Sequence, residues 1–374
     1  MNDSSKQFIS DEQREAARGK DSHRWEYGSE FAWVEPLSVP YQEPILPQGT
    51  VLFGSGRQAL VAVLKSGATN RGWRRCLVPT YICQSVVEAI LEAGLECLPY
   101  PDCPISTEPP NWEGLRPSDC VLVVNHFGWR LPEISHRVLE TPAGLIEDHT
   151  HDPWSHWATH SPADYCIISL RKTLPLPDGG AAWSPKRYPL DSPPSEDPCH
   201  QHAALGKLSA MFLKAEYLAG KPIEKGLFRS LQVEGEKRLT AKTISAPIAL
   251  TPYLLERFPW KRWREMRASN AGYLIHQLAG TKGLEVLNPT VTPDHCPFGV
   301  LLRCPDERVR DSLQKHLIER SMYPAVLWPE HPHMSNDSQA VALARRTLFL
   351  HADFRYPQDD LDRVVAAIRE FFSS

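Results

Sequence analysis

The feature that most constrains this chain is a series of short apolar runs, each closing on a polar residue or a turn and separated by segments of helical spacing. The runs are CLVPT (76–80), ECLPY (96–100), CVLVVNHF (120–127), GLIED (144–148) and DYCIISL (164–170), with GGAAW (179–183) after them. Arg57–Ser66 carries apolar residues at helical spacing, and Gln84–Ala93 does so again before Gly94, a residue suited to end a helix. Strands that alternate with helices predict βαβ units and a mostly parallel sheet. Sheets of that kind place ligands at the carboxyl ends of their strands.

The rest of the chain divides around this core. Residues 1–45 are polar and then proline-rich (EPLSVPYQEPILP), which predicts a mobile start and an extended arm. A large α/β domain is expected over 46–245, including a proline-rich surface loop at 185–200. A smaller C-terminal α+β domain is expected over 246–374. In it LEVL, FGVLLRC and TLFLH read as strands, and Glu307–Arg320 and Asp359–Phe372 as helices. Residues 203–275 are largely helical, punctuated by Pro252 and Pro259. At 374 residues two domains are the natural expectation.

Composition excludes several classes. A net charge of −4 offers no field for nucleic acid or anionic membranes. No run of 18 apolar residues occurs, and the N-terminus lacks the apolar stretch of an export signal. Nine single cysteines without a CxxC pair give no support to zinc ribbons or thioredoxin-like chemistry, and they fit a reducing cytoplasm. The histidine-rich segment HTHDPWSHWATH (149–160) has no H-E-x-x-H pattern, so no metal site is expected there. The run PWKRWREMR (259–267) is expected to pack one helix face and keep its charges solvated.

Three features at expected strand ends could carry chemistry. GLIED ends in Asp148, followed by His149, Thr150 and His151. DYCIISL ends in Ser169, Leu170, Arg171 and Lys172, and the chain then turns through TLPLPDGG. Singly, Lys172 reads as a surface lysine and Asp148 as a helix cap or loop carboxylate. Together, at the ends of adjacent parallel strands, they suit pyridoxal chemistry. There a lysine amine forms a Schiff base, and a carboxylate keeps the pyridine nitrogen protonated so that the ring accepts electrons. The third feature, GSGRQAL (54–60), lies between a short strand and a helix, where Gly56 and Arg57 form a phosphate cradle or simply a glycine turn. It also matches G-x-G-x-x-A, but the acidic residue a dinucleotide site needs is absent from RRCLVPT.

These segments, with VLVVNHFG, LIEDHTHD, SLRKTLPLPDGG, MYPAVLWP and LFLHADFRYPQDDLDRV, resemble the DegT/DnrJ/EryC1/StrS sugar aminotransferase family over roughly residues 50–372. The resemblance implies a fold-type-I enzyme that binds pyridoxal 5'-phosphate. It gives Lys172 the Schiff-base role, Asp148 the pyridine nitrogen, and His151 a place near the phenolic oxygen. Gly56, Arg57 and Ser169 fall at phosphate-holding positions. The slot where the family stacks an aromatic ring is Cys83, with Tyr81 two residues earlier, so either residue is a candidate to cover the cofactor. The segment by which many members reach the partner subunit's phosphate is missing between 200 and 245. Tyr323, Trp328 and Arg355 are expected to border the substrate pocket. What the resemblance implies is a homodimer that moves an amino group from an amino acid, usually glutamate, to a keto acceptor such as a keto-sugar nucleotide. A catalytically idle relative with a regulatory or accessory role is the alternative.

Overall fold

The computed structural model describes residues 24–373, except 42, 44, 192, 194–196, 240–242, 289–290, 293–294 and 333–335. The expected mobile start, residues 1–23, lies outside the described residues.

Strand β1 is Tyr27–Gly28, followed by β2 (Val51–Phe53) and helix α1 (Gly56–Asn70). Then come β3 (Arg75–Pro79), α2 (Gln84–Glu92), β4 (Glu96–Tyr100), β5 (Asp119–Val124), α3 (Glu133–Leu139), β6 (Gly144–Asp148), α4 (His156–Thr159), β7 (Tyr165–Ser169) and β8 (Gly180–Trp183). Strands β2 to β8 form one seven-stranded sheet in the order β2-β8-β7-β6-β5-β3-β4. The pairings β4–β3, β3–β5, β5–β6 and β6–β7 are parallel, and β8 runs antiparallel to both β7 and β2. The mostly parallel sheet expected from the apolar runs is therefore present.

Alternation within those strands explains why the runs are apolar throughout. Cys120, Leu122, Val124, Ile146 and Ile167 pack towards α1 and α2, with Leu60, Leu64, Val87 and Ile90. The intervening Val121, Val123, Leu145, Cys166 and Ile168 pack on the opposite face, with Ile134, Val138, Trp157 and Leu254. A strand covered on both sides has no position to leave polar until its end. At that end β6 places Glu147 and Asp148 on opposite faces.

Two long helices follow, α5 (Pro198–Leu218) and α6 (Lys225–Leu239), then α7 (Leu250–Leu255) and α8 (Trp260–Leu278). The C-terminal part contains β9 (Glu285–Val286), β10 (Gly299–Arg303), α9 (Glu307–Ile318), β11 (Met322–Tyr323), α10 (Ser338–Arg346), β12 (Thr347–His351) and α11 (Gln358–Ser373). β12, β10 and β9 make an antiparallel sheet. Its Val300, Leu302, Leu348 and Leu350 pack on α8, α9 and α11, while Leu301 and Phe349 turn the other way, towards Tyr81, Phe127 and α10. Helix α10 carries no signal in the sequence reading; an acidic cap, Asp337, and a short apolar stripe define it.

The extended arm is tied down from residue 24 onward. β1 pairs in parallel with β11, and only glycine fits at 28, because a Cβ there would lie 2.3 Å from the Tyr323 carbonyl oxygen at φ +83. Lys214 then donates to Ser29 Oγ and the Glu30 carbonyl, both at 2.6 Å.

Candidate active site

A cavity of about 680 Å³ opens at the carboxyl ends of β5, β6 and β7. It is walled on its remaining sides by α5, α6, the arm and the small antiparallel sheet. Val124, Asp148 and Ile167 are register neighbours at the three strand ends, and all three line it. Ser169 is two residues further along β7 on the same face, and Lys172 ends the short turn Leu170–Lys172. Asp148 and Lys172 thus enter one cavity from adjacent parallel strands.

Asp148 takes a hydrogen bond on Oδ1 from the Thr150 backbone N–H at 2.8 Å, and the Thr150 side chain also interacts with the carboxylate. Burial raises its pKa, and the Thr150 contacts only partly offset this. A carboxylate in that position gains by meeting a cation. Lys172 is exposed only into the cavity, where protein surrounds it. Burial and the neighbouring Arg171 guanidinium lower its pKa, so its amine loses its proton more readily than a surface lysine does.

His151 is fixed by an unusual turn. Phe127 sits at φ 54 beyond β5, and its N–H donates to His151 Nδ1 at 3.0 Å. Burial, Lys172 and Arg267 push the imidazole pKa down to about 3. A neutral ring that accepts on Nδ1 carries its proton on Nε2, so His151 is a donor from that nitrogen. Phe298 stacks on it at 4.6 Å, and Trp328 lies 5.8 Å away, nearly parallel.

Gly56 begins α1, capped by Ser55 Oγ, and the unpaired N–H groups of its first turn face the cavity. A Cβ at Gly56 would lie 2.7 Å from Ser169 Cβ, so glycine lets the helix end sit against β7. Arg57 also lines the cavity, but its guanidinium is held by Glu92 at 2.9 Å and Glu88 at 3.4 Å. The two acids of α2 take the Nη atoms, while Arg57 Nε has no hydrogen-bond partner among the described residues and its backbone N–H also faces the helix start.

Of the two candidates for covering a cofactor ring, Cys83 lines the cavity and Tyr81 does not. Tyr81 is buried behind Trp328, with ring centroids 5.4 Å apart, in a cluster with His126 and Phe349. The candidacy of Tyr81 is therefore corrected; its side chain fills the core beneath the cavity wall. Tyr323, Trp328 and Arg355 do line the cavity.

Sequence reasoning missed several lining groups. Glu236 on α6 pairs with Arg171 at 2.6 Å and with Lys207 at 2.8 Å, and Lys207 also meets Glu30 of the arm. No local pattern marks these residues, because tertiary packing of α5, α6 and the arm brings them together. The run PWKRWREMR was also misread. Arg264 and Arg267 are not both solvated: each reaches the buried Asp152, and Arg267 lines the cavity.

His149 points away from the cavity. Its Nε2 meets Glu147 at 3.0 Å on the far face of the sheet, where Trp157 and Ser161 also donate to that carboxylate. Among the described residues, ligand atoms of Glu147, His149 and Cys166 lie within 4.8 Å of one another. The carboxylate oxygens there are already taken by protein donors.

No family model matches the sequence, and no curated protein matches it. Solved structures do share its architecture. The aminotransferase TlmJ from Streptoalloteichus hindustanus is 17% identical, aligned over 87% of this chain and 86% of that one at a TM-score of 0.54. DesV from S. venezuelae, in complex with a ketimine intermediate, is 17% identical over 87% and 85% at 0.56. The PLP-form of the putative sugar aminotransferase Spr1654 from Streptococcus pneumoniae is 13% identical over 87% and 87% at 0.58. The chain has the fold-type-I architecture that these proteins share.

Proposed function

We propose that this chain is a pyridoxal-phosphate aminotransferase that moves an amino group from an amino acid, glutamate in the first instance, to a keto acceptor. The observation that carries the reading is the convergence of Asp148 and Lys172 on one cavity from the ends of neighbouring parallel strands. The residues present fit the cofactor. The cavity is within the roughly 300–1,000 Å³ usual for small-molecule sites. A free helix start at Gly56 suits the phosphate, with Ser169 beside it. The cavity-lining carboxylate of Asp148 suits a protonated ring nitrogen, and the Nε2–H of His151 suits the phenolic oxygen. Cys83 borders the space a ring would fill.

When bound, the cofactor supplies an aldehyde carbon that an amine can condense with and a ring that takes up the electron pair of a broken C–H bond. Lys172 acts on either side of that chemistry. Its depressed pKa leaves a fraction of the amine unprotonated, able to attack and later to carry a proton as general base and acid. Asp148 holds the ring proton in place. Phe298 and Trp328 line the cavity beside His151 and would help to keep water from a bound cofactor.

A keto-sugar is the acceptor class suggested by the names of the similar structures, and a homodimer in the cytoplasm accompanies the reading. The experiment is direct: full-length protein mixed with pyridoxal 5'-phosphate gains a visible absorbance band that glutamate bleaches. Lys172→Ala protein that still formed that band would overturn the assignment of Lys172. A set of keto acceptors that restore the colour identifies the second substrate.

A further inference from the structure

Two consecutive cations, Arg171 and Lys172, follow the end of β7, and the reading above uses only the second. The Arg171 guanidinium runs to α6, where it meets Glu236 at 2.6 Å. The same carboxylate takes Lys207 of α5 at 2.8 Å, and Lys207, 4% exposed, also reaches Glu30 of the arm at 2.9 Å. Arg171, Glu236, Lys207 and Glu30 thus form one continuous row of ion pairs in which positive and negative charges balance. All four line the cavity. Close packing of α5 on α6 builds the row: a Cβ at Gly235 would lie 2.4 Å from Lys207 Cγ, so glycine there lets the lysine stem cross α6 to the next residue.

Such a row matters because a lysine amine reacts only without its proton, and each neighbouring charge shifts that balance. Burial holds the Lys172 pKa below the ordinary lysine value, and Arg171 lowers it further. Glu236 and Cys83 oppose the fall, whereas Lys207 adds to it. Burial alone would raise the Glu236 pKa, but Arg171 and Lys207 hold it below the ordinary carboxylate value, so the acid stays charged. The other groups facing Lys172 bring little charge of their own. Burial holds His151 at about 3 and His351 at about 4, so both imidazoles are neutral. Asp353 grips Arg355 through contacts of 2.7 and 2.8 Å, and Asp148 enters from the neighbouring strand with its own role. Without Glu236, Arg171 and Lys207 would share a single acid, Glu30, and a positive charge would be left beside the amine.

We propose that Glu236 is a positioning residue for Lys172: it holds Arg171 and Lys207 on one carboxylate, balances their charges beside the amine, and through Lys207 makes Glu30 of the docked arm part of that control. This deepens the aminotransferase reading and rests on it for the use made of Lys172, but the state of the amine can be measured without turnover. The probe is a trace of acetic anhydride, which labels Lys172 competitively in full-length, cofactor-free protein across a pH series. Site-resolved mass spectrometry reads the midpoint at which the amine becomes reactive.

Glu236→Gln, which keeps the shape and removes the charge, is expected to move that midpoint down by about one pH unit. Arg171→Met should move it up, because a cation leaves. The double variant, in which Lys207 and Glu30 still balance, should return to within about 0.3 of wild type. Glu30→Gln lies one ion pair further from Lys172 and should move the midpoint down by less. A Glu236→Gln midpoint equal to wild type, or one that moves in the same direction as Arg171→Met, overturns the proposal, since a role in packing alone would not give opposite signs. Should Glu236→Gln not fold, Arg171→Met carries the test, and a midpoint that stays or falls overturns the proposal. The expected shifts in a protein that takes up no pyridoxal 5'-phosphate would uphold the control of the amine and sink the aminotransferase reading. Cofactor uptake at Lys172 with none of the shifts would do the reverse.

Discussion

Glu147 and Asp148 are consecutive carboxylates at the end of one strand, yet they lie in opposite environments. Glu147 faces the packed side of the sheet and accepts from Trp157 Nε1 at 2.9 Å, Ser161 Oγ at 2.5 Å and His149 Nε2 at 3.0 Å. Burial alone would raise its pKa, but His149 and the hydroxyl beside it hold it below the usual value. Asp148 faces the cavity with donors from Thr150 alone, and burial holds its pKa above the usual value. The two differ in how completely protein donors satisfy them. A saturated carboxylate is part of the scaffold, whereas an unsatisfied one at a cavity wall is available to a ligand.

The largest effect that would break this comparison is on turnover. Asp148→Ala is expected to lower the transamination rate by on the order of 10²–10⁴-fold and to weaken cofactor retention. The cofactor-free variant should unfold no more easily than wild type, since the carboxylate gains little from the protein. Steady-state kinetics beside thermal melting decides it, and unchanged turnover would contradict the reading. Glu147→Ala should do the reverse, losing about 2–4 kcal/mol of stability through the donors left unpaired. Denaturant titration measures that loss, and a stable Glu147→Ala protein would show that the far-face network is not structural.

The pH dependence sharpens the contrast because the two signs are opposite. Glu147 has a depressed folded pKa, so its contribution is present above its unfolded value of 4.5 and is lost as pH falls below it. Asp148 has a raised folded pKa, so its contribution is fully present only below its unfolded value of 3.8 and is lost as pH rises through the folded value. In cofactor-free protein, Glu147→Gln should therefore flatten the acid loss of stability, and Asp148→Asn should steepen it. Melting curves taken between the acid limit and neutrality read both slopes.

How much of this was legible in the sequence follows from the same distinction. The strand ends were readable because apolar runs in a doubly covered sheet must stop somewhere, and GLIED and DYCIISL stop at Asp148 and Ser169. Lys172 and His151 lie within four residues of those ends, so local spacing carried them to the cavity. Arg267, Glu236 and Lys207 reach it from helices far away in the chain, and nothing in a helix's own pattern says which of its charges will be buried. Tyr81 was a candidate because it is aromatic, but the packing of β12 and Trp328 takes its ring into the core.

His151 tests the site at a smaller scale. With its pKa near 3 it stays neutral across the working range, so it should contribute no inflection to the rate profile between about pH 5 and pH 8. His151→Gln keeps a donor and should cost about tenfold or less, whereas His151→Ala should cost more. A wild-type inflection in that range that vanished in His151→Gln would show the imidazole to be titrating there, against the neutral Nε2–H donor.

The smallest effects concern the residues that compete to cover the ring. Tyr81 touches Trp328 and His126 and does not reach the cavity, so Tyr81→Phe, which keeps the ring and removes one oxygen, should leave the cofactor's absorbance band where it is. Its effect on rate should be within about a factor of ten. Cys83 does border the cavity, at the start of α2, with its Sγ 3.1 Å from Ser85 Oγ. A bulkier residue there would meet the bound ring, so Cys83→Phe should shift the band and alter cofactor affinity. Should Tyr81→Phe move the spectrum while Cys83→Phe leaves it unchanged, the cavity wall would have to rearrange around the cofactor to bring Tyr81 forward past Trp328.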